Sequence, residues 1–210
     1  MSDNVSGADN QQATFRVSGR ESSETIRQTP FTRNEILAYV HGAMHDGSLN
    51  KKKRVRIVQK YKSWLETIRF ILQTVGIHSW IYREGRKRNL YVLETVSKEL
   101  SFGFDPSRLK TKQERTMYIR GFFDAEGGVP RNGKRFYIQL VQKDYGKLDS
   151  IKTMLDGIGI GSGKIHNPSK LVDPNYWRMF IPAKHQRSFA RSIGSWHPIK
   201  SKIFRERMMI

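Results

Sequence analysis

The sequence predicts an α+β fold built from two pseudo-symmetric repeats, each running helix, two strands, helix, two strands, helix (αββαββα). Three observations predict it: a duplicated strand-to-helix segment, a duplicated helix start, and a positive charge carried by the repeated body. Val58-Gln59-Lys60 recurs as Val141-Gln142-Lys143, and Leu65, Ile68, Leu72, Gly76 and Ile77 match Leu148, Ile151, Leu155, Gly159 and Ile160, every pair 83 positions apart. Thr32-Arg33-Asn34-Glu35 and Thr111-Lys112-Gln113-Glu114 both read as capping boxes, in which a Thr hydroxyl and a Glu carboxylate satisfy N–H groups at a helix start. The formal net charge is +19, yet residues 1–30 hold three arginines against four acids, so the excess lies wholly in residues 31–210.

Residues 1–30 are rich in Ser, Asn, Gln and Gly, show little apolar periodicity, and read as an unstructured leader. The N-terminal repeat, residues 31–102, opens with a helix after Thr32 that runs through Ile36–Ser48. A strand follows, with Val55 and Ile57 alternating with Arg54 and Arg56, and ends at Val58-Gln59-Lys60. The next helix has apolar residues at helical spacing and stops at Gly76, where a C-terminal cap would sit. A hairpin over Ile77–Glu94 and a short helix near Ser97–Phe102 close the repeat. Residues 103–112 form a polar linker. The C-terminal repeat, residues 113–210, copies the order: a helix over Met117–Gly128, a strand with Phe136, Ile138 and Leu140 alternating with Arg135, Tyr137 and Gln139, a helix stopped at Gly159, a hairpin over Ile160–Pro182, and a helix over Ala183–Ile193.

Composition bounds the function. A hydrophobic fraction of 37%, with 11 Phe, 8 Tyr and 4 Trp, suffices for a packed core, and the absence of Cys excludes disulfides, zinc ribbons and a thiol nucleophile. No apolar run approaches the ~18–20 residues of a membrane span, so no membrane partner is expected. The polar start, Met1–Gln12, lacks a secretory signal, so the expected location is intracellular: cytoplasm or nucleoid, or an organelle. A basic body of this kind points to a polyanionic partner, nucleic acid above all.

The segment Gly121-Phe122-Phe123-Asp124-Ala125-Glu126-Gly127-Gly128, preceded by Tyr118-Ile119-Arg120 and followed by a strand ending in Gln142-Lys143, resembles the LAGLIDADG motif of homing endonucleases. His41–Ser48 is similar to a more divergent first copy. The resemblance covers residues 31–205, and two motifs in one chain resemble the monomeric, double-motif branch. It implies a homing endonuclease-like fold with saddle-shaped antiparallel DNA-binding sheets. It also implies Mg²⁺-dependent cutting of double-stranded DNA at a long target, a staggered break, and an origin in an intron or other mobile element. The alternative on the same fold is a non-cutting nucleic-acid binder, either a maturase whose partner is intron RNA or a transcription regulator.

The residues carry a matching physical logic. Asp46 and Glu126 each stand at a helix C-terminus just before glycine, where a carboxylate faces the negative end of the helix dipole at a cost of roughly 0.3–1 kcal/mol unless a cation offsets it. Side by side the two acids would repel and raise each other's pKa. Two or more Mg²⁺ ions at the repeat interface would resolve both problems, because Mg²⁺ takes hard oxygen ligands and keeps water and phosphate as others. Gly47 and Gly127 complete the expected metal site, and with Gly128 would allow close backbone approach and a positive φ. In the resembled family the position of Asp124 is structural. The copies differ in one place: Gly42 to Asp46 is four steps, Gly121 to Glu126 five. Either the first helix unwinds early, or His41 comes to lie opposite Gly121, where the resemblance implies a small residue.

The resemblance places Gln59, Lys60, Gln142 and Lys143 in the catalytic centre, ordering water around the metals. A lysine there would stabilise negative charge developing on phosphate. A two-stranded ribbon fits the DNA major groove, and alternation sends one set of side chains toward it. The expected DNA-facing residues are Arg54, Arg56, Tyr82, Arg83, Arg86 and Arg88 in the first half, and Arg135, Tyr137, Gln139, Lys164 and His166 in the second. The Lys51-Lys52-Lys53 run and Arg131 are expected phosphate contacts, and Asn167–Asn175 either a groove arm or a surface loop. His41 and His45 lack a zinc spacing and read as helix-packing residues. Trp196-His197-Pro198 with Lys200 and Lys202 reads as a packed Trp before a solvated end.

Overall fold

The computed structural model describes residues 30–51, 53–85, 88–130 and 135–208. The leader up to residue 29, Lys52, Arg86 and Arg131 lie outside the described residues. The first repeat contains α1 (Arg33–Ala43), a 3₁₀ turn (Met44–Asp46), β1 (Gly47–Asn50), β2 (Arg54–Gln59), α2 (Lys62–Thr74), β3 (Trp80–Arg83) and β4 (Tyr91–Thr95). After a second 3₁₀ turn (Pro106–Arg108) come α3 (Lys112–Glu126), β5 (Gly127–Gly128), β6 (Ile138–Gln142), α4 (Tyr145–Gly157), β7 (Trp177–Ile181), α5 (Ala183–Ser192) and α6 (Pro198–Met208).

Both capping boxes form: Thr32 and Thr111 accept from the backbone N–H groups of Glu35 and Glu114, whose carboxylates return to the cap N–H groups. Gly76 and Gly159 end α2 and α4 with φ of 72° and 84°, and Ile77 and Ile160 donate back to Leu72 and Leu155 at 2.9 Å. Two antiparallel sheets result, ordered β1-β2-β4-β3 and β5-β6-β7. In the second, Gly163 donates to Phe180 and His166 bridges Arg178, so residues 163–166 take the place that β3 holds in the first. Val55, Ile57 and Leu93, and likewise Ile138, Leu140, Met179 and Ile181, point into a core shared with Trp64, Leu65 and Ile68 of α2 and Leu148, Ile151 and Leu155 of α4.

The helices α1 and α3 cross at the centre of the molecule through Gly42 and Gly121. A methyl at Gly42 would overlap the Tyr118 carbonyl oxygen, and one at Gly121 the Tyr39 carbonyl oxygen. Tyr39 and Tyr118 are themselves 79 positions apart, as the two glycines are, so the glycines set the register of the crossing. His41 does not face Gly121. It is buried on the outer side of α1, stacked on Phe104 at 4.0 Å.

Three expectations about elements are corrected. Ser97–Phe102 is not a helix, because Ser and Thr side chains capture nearby backbone donors instead: Thr95 accepts from Ser97 N–H, Ser97 from Glu99 N–H and Ser101 from Gly103 N–H. Lys112 belongs to α3 rather than to a linker, since its predecessor Thr111 is the cap. The chain after Trp196 forms a further helix, α6, whose Phe204 stacks on Phe123 at 5.6 Å, so the second repeat gains a closing helix that the first lacks. Among the described residues no helix is long and apolar enough to cross a membrane.

Candidate active site and nucleic-acid interface

The unequal spacing of the two acids is absorbed by local helix geometry. After Ala43 the first helix tightens into the 3₁₀ turn that ends at Asp46, whereas α3 stays α-helical up to Glu126. An α-helix rises about 1.5 Å per residue and a 3₁₀ turn about 2.0 Å. One α step plus three 3₁₀ steps therefore advance about 7.5 Å, as five α steps do, with a rotation only about 40° smaller. Both acids thus end at the same level of the helix pair. Gly47 and Gly127 follow directly and start the first strand of each sheet, paired with Ile57 and Leu140. Their φ angles are −101° and −82°, so positive φ is not why glycine stands there. Close approach is: a side chain at Gly47 would press on the Met44 carbonyl at 2.8 Å, and one at Gly127 would overlap the Phe123 ring.

The charge of Asp46 acts on the Glu126 carboxyl. Burial, and then the negative charge of Asp46, raises Glu126 to about 7, against the opposing pull of Lys200, Lys147 and Lys143. Burial also raises Asp46, opposed by a hydrogen bond from Gln59 Nε2 and by the charge of Lys200. Gln142 is arranged differently from its counterpart. Its Nε2 lies 3.3 Å from His45 Nδ1, and its Oε1 accepts from Lys143 N–H at 2.7 Å. Lys60 and Lys143 are both exposed at their strand ends. Asp46, Glu126, Gln59 and Lys143 therefore converge, Gln142 joins through His45, and Lys60 is exposed next to Gln59 in the chain.

Alternation also holds on the sheets. Arg54, Arg56 and Tyr82 lie on the outward face of the first sheet, with Arg83 and Arg88 exposed at the end of its outer hairpin. Tyr137, Gln139 and His166 share the outward face of the second, while Arg135 and Lys164 are exposed beside it. Arg135 and Tyr137 precede β6, whose pairing begins at Ile138. The segment 167–175 is a closed surface loop, because Asn167 donates to the carbonyls of Asp173 and Pro174 and accepts from Ser169 N–H.

A LAGLIDADG-like domain matches residues 38–101 and again residues 113–194. The chain belongs to the LAGLIDADG-like family. Homing endonuclease I-ApeI of Aeropyrum pernix is 29% identical over 196 residues, which span 81% of this chain and 86% of that protein. The crystal structure of I-DmoI in complex with DNA and Ca is similar with a TM-score of 0.62 at 19% identity, covering 83% of this chain and 98% of that one. Full-length DUF199/WhiA from Thermatoga maritima is similar with a TM-score of 0.63 at 17% identity, covering 88% of this chain and 65% of that one. At these identities the structural likenesses bear on the fold alone.

Four parts of this LAGLIDADG-like site escaped sequence reasoning. Lys200, read as part of a solvated end, is partly buried under the centre: its Nζ donates to the carbonyls of Phe123 and Asp124 at 2.7 and 2.8 Å and lies 5.1 Å from the Phe123 ring. It is the cation that offsets the C-terminal dipole of α3, and burial lowers its pKa to about 8 although Asp124, Glu126 and Asp46 all favour its charge. Only the packing of α6 brings it there. His45 Nε2 pairs with Tyr118 Oη at 2.8 Å, a contact between repeats mirrored by Tyr39 Oη donating to Asp124 at 2.8 Å. Asp124 also accepts from Ser195 Oγ and from Trp196 N–H, so its oxygens are turned into the protein rather than toward Glu126. On the second sheet Arg178 lies over Phe180 at 4.9 Å, and the alternation of these two with Met179 and Ile181 was legible in the sequence. On the first sheet Glu94, 1% exposed, sits among the arginines.

Proposed function

We propose that this protein is a site-specific double-stranded DNA endonuclease, in which Asp46 and Glu126 serve one strand each and leave a staggered break at a long target. The observation that carries the reading is the meeting of two carboxylates, one from each repeat, at the ends of the central helices of a strongly basic protein. The donor set fits Mg²⁺. Two carboxylates raised by burial, Glu126 also by the charge of Asp46, need a cation, their oxygens are hard ligands, and the backbone carbonyls of Gly47 and Gly127, which follow the acids in the chain, would add further oxygens. Among the described residues no third His, Cys, Asp or Glu joins them, which suits an ion that keeps water and phosphate as ligands. When bound, two or more such ions would activate water and stabilise the leaving oxygen in phosphodiester hydrolysis.

The chain's own residues do the rest. Gln59 orients Asp46. Gln142, held by His45, orders the second side. Lys60 and Lys143 offset charge on the phosphates, while Lys200 holds the last turn of α3 and the charge balance between the acids. The two sheets bind the duplex on either side of the helix pair. One chain carries both acids, so a monomer suffices. The name of I-ApeI supports a homing role, and an intron or other mobile element is the expected origin.

The test is plasmid cleavage. A plasmid carrying the uninterrupted allele of the host gene is incubated with the protein and with Asp46→Asn, with and without Mg²⁺. Linearisation that requires Mg²⁺ and disappears in Asp46→Asn is expected. Tight binding with intact plasmid under every condition would overturn the reading in favour of a non-cutting binder.

A further inference from the structure

Glu94 occupies the centre of the outward face of the first sheet. In the β2–β4–β3 register it lies directly across from Arg56 on one side and Trp80 on the other. Four donors converge on it. Asn50 Nδ2 and Tyr82 Oη reach its Oε1 at 3.0 and 2.9 Å, Arg54 Nη1 reaches its Oε2 at 3.4 Å, and Arg56 Nε stands 3.8 Å from Oε1. A second acid, Glu84, takes Arg56 Nη2. Arg54 also lies 5.8 Å from the Trp80 ring. Burial alone would raise the Glu94 carboxyl, but the bonds from Asn50, Tyr82 and Arg54 outweigh it and hold it below the usual carboxylate range.

The second sheet has no counterpart. The 83-position repeat aligns Arg56 with Gln139, and Gln139 pairs with Phe180 where Arg56 pairs with Glu94. A carboxylate in one half is thus an aromatic ring in the other.

An acid beneath a DNA-facing surface opposes phosphate and so weakens sequence-independent binding. It also fixes the arginine forks in one geometry, and bidentate reading of guanine in the major groove depends on such geometry. We propose that Glu94 is a positioning residue for DNA specificity: it holds Arg54, Arg56 and Tyr82 as a fixed donor set that makes the first half-sheet the sequence-selective reader, while the second half-sheet tolerates variation. This rests on the DNA reading above.

The experiment selects duplexes from a library randomised over the length of the target, with the full chain as wild type and as Glu94→Gln, and measures binding of a random duplex against salt. Glu94→Gln is expected to bind the random duplex several-fold more tightly. Its log–log salt slope should steepen by about 0.9 for each arginine released to phosphate. The base preferences of one half-site should fade while those of the other persist. Unchanged preferences, or equal loss in both halves, would overturn the proposal. Should Glu94→Gln fail to fold, Glu84→Gln frees Arg56 from outside the buried cluster and carries the same expectation at smaller size. A wild type that selects no sequence at all would overturn the DNA reading itself, a different outcome from selection that Glu94→Gln leaves untouched.

Discussion

The two repeats agree where the helices cross and differ at the helix ends and on the sheet faces. Gly42 and Gly121 contact the backbone of Tyr118 and Tyr39 in one shared register, and the two tyrosines each reach across to the other repeat. Beyond that point the copies separate. The first ends in a 3₁₀ turn with Gln59 on its acid. The second runs straight to Glu126, turns Gln142 toward His45 and receives Lys200 from α6. Backbone-to-backbone packing leaves no room for variation, whereas helix ends and sheet faces can be reshaped as long as the acids stay level.

The comparison is broken most directly at the acids. Asp46→Asn and Glu126→Gln are each expected to reduce linearisation on the order of a thousandfold or more, since each removes a carboxylate that the proposed function assigns to the metal. If the repeats serve separate strands, each variant should accumulate a nick in a different strand, and strand-labelled substrate reads this. Loss of both cuts together would mean that the two ends act as one unit.

The shared crossing comes next. Gly42→Ala and Gly121→Ala both place a methyl against backbone that cannot move aside, so each is expected to cost about 3 kcal/mol or more in urea unfolding. Unequal costs would show that the crossing is less symmetric than its register. Lys200→Met tests the cation that only the second repeat supplies, from α6. It leaves the Phe123 and Asp124 carbonyls without their donor and the acids without one of their cations, an expected loss of about 1–3 kcal/mol with weaker cleavage.

The smallest effect is a pH dependence. Glu126, raised to about 7, binds its proton more readily in the folded than in the unfolded chain. Its contribution to stability is therefore complete below the ordinary carboxylate range and is lost as pH rises through about 7. In EDTA the melting temperature should fall between about pH 4.5 and pH 7, and Glu126→Gln should flatten that fall.

Much of this was legible in the chain. Repeats, capping boxes, terminating glycines and strand alternation are local patterns, and each appears where its residues predict it. The helix expected at Ser97–Phe102 failed because Ser and Thr side chains capture backbone donors within and just after it, a balance that apolar spacing does not report. Lys200 and Glu94 stayed hidden for another reason: neither belongs to a motif, and each matters only through partners distant in sequence.

The sequence by itself determined the duplication, the basic body, the two acids at matched helix ends and the outward arginines, because helix caps, the 3.6 and 2.0 periods and net charge depend on neighbours along the chain. The tertiary structure alone decided whether four steps and five reach one level, which carboxylate would face the arginines, and which lysine would act on both acids. Those outcomes depend on the rise of a 3₁₀ turn, on strand register and on helix packing, which bring together groups 38 to 154 residues apart.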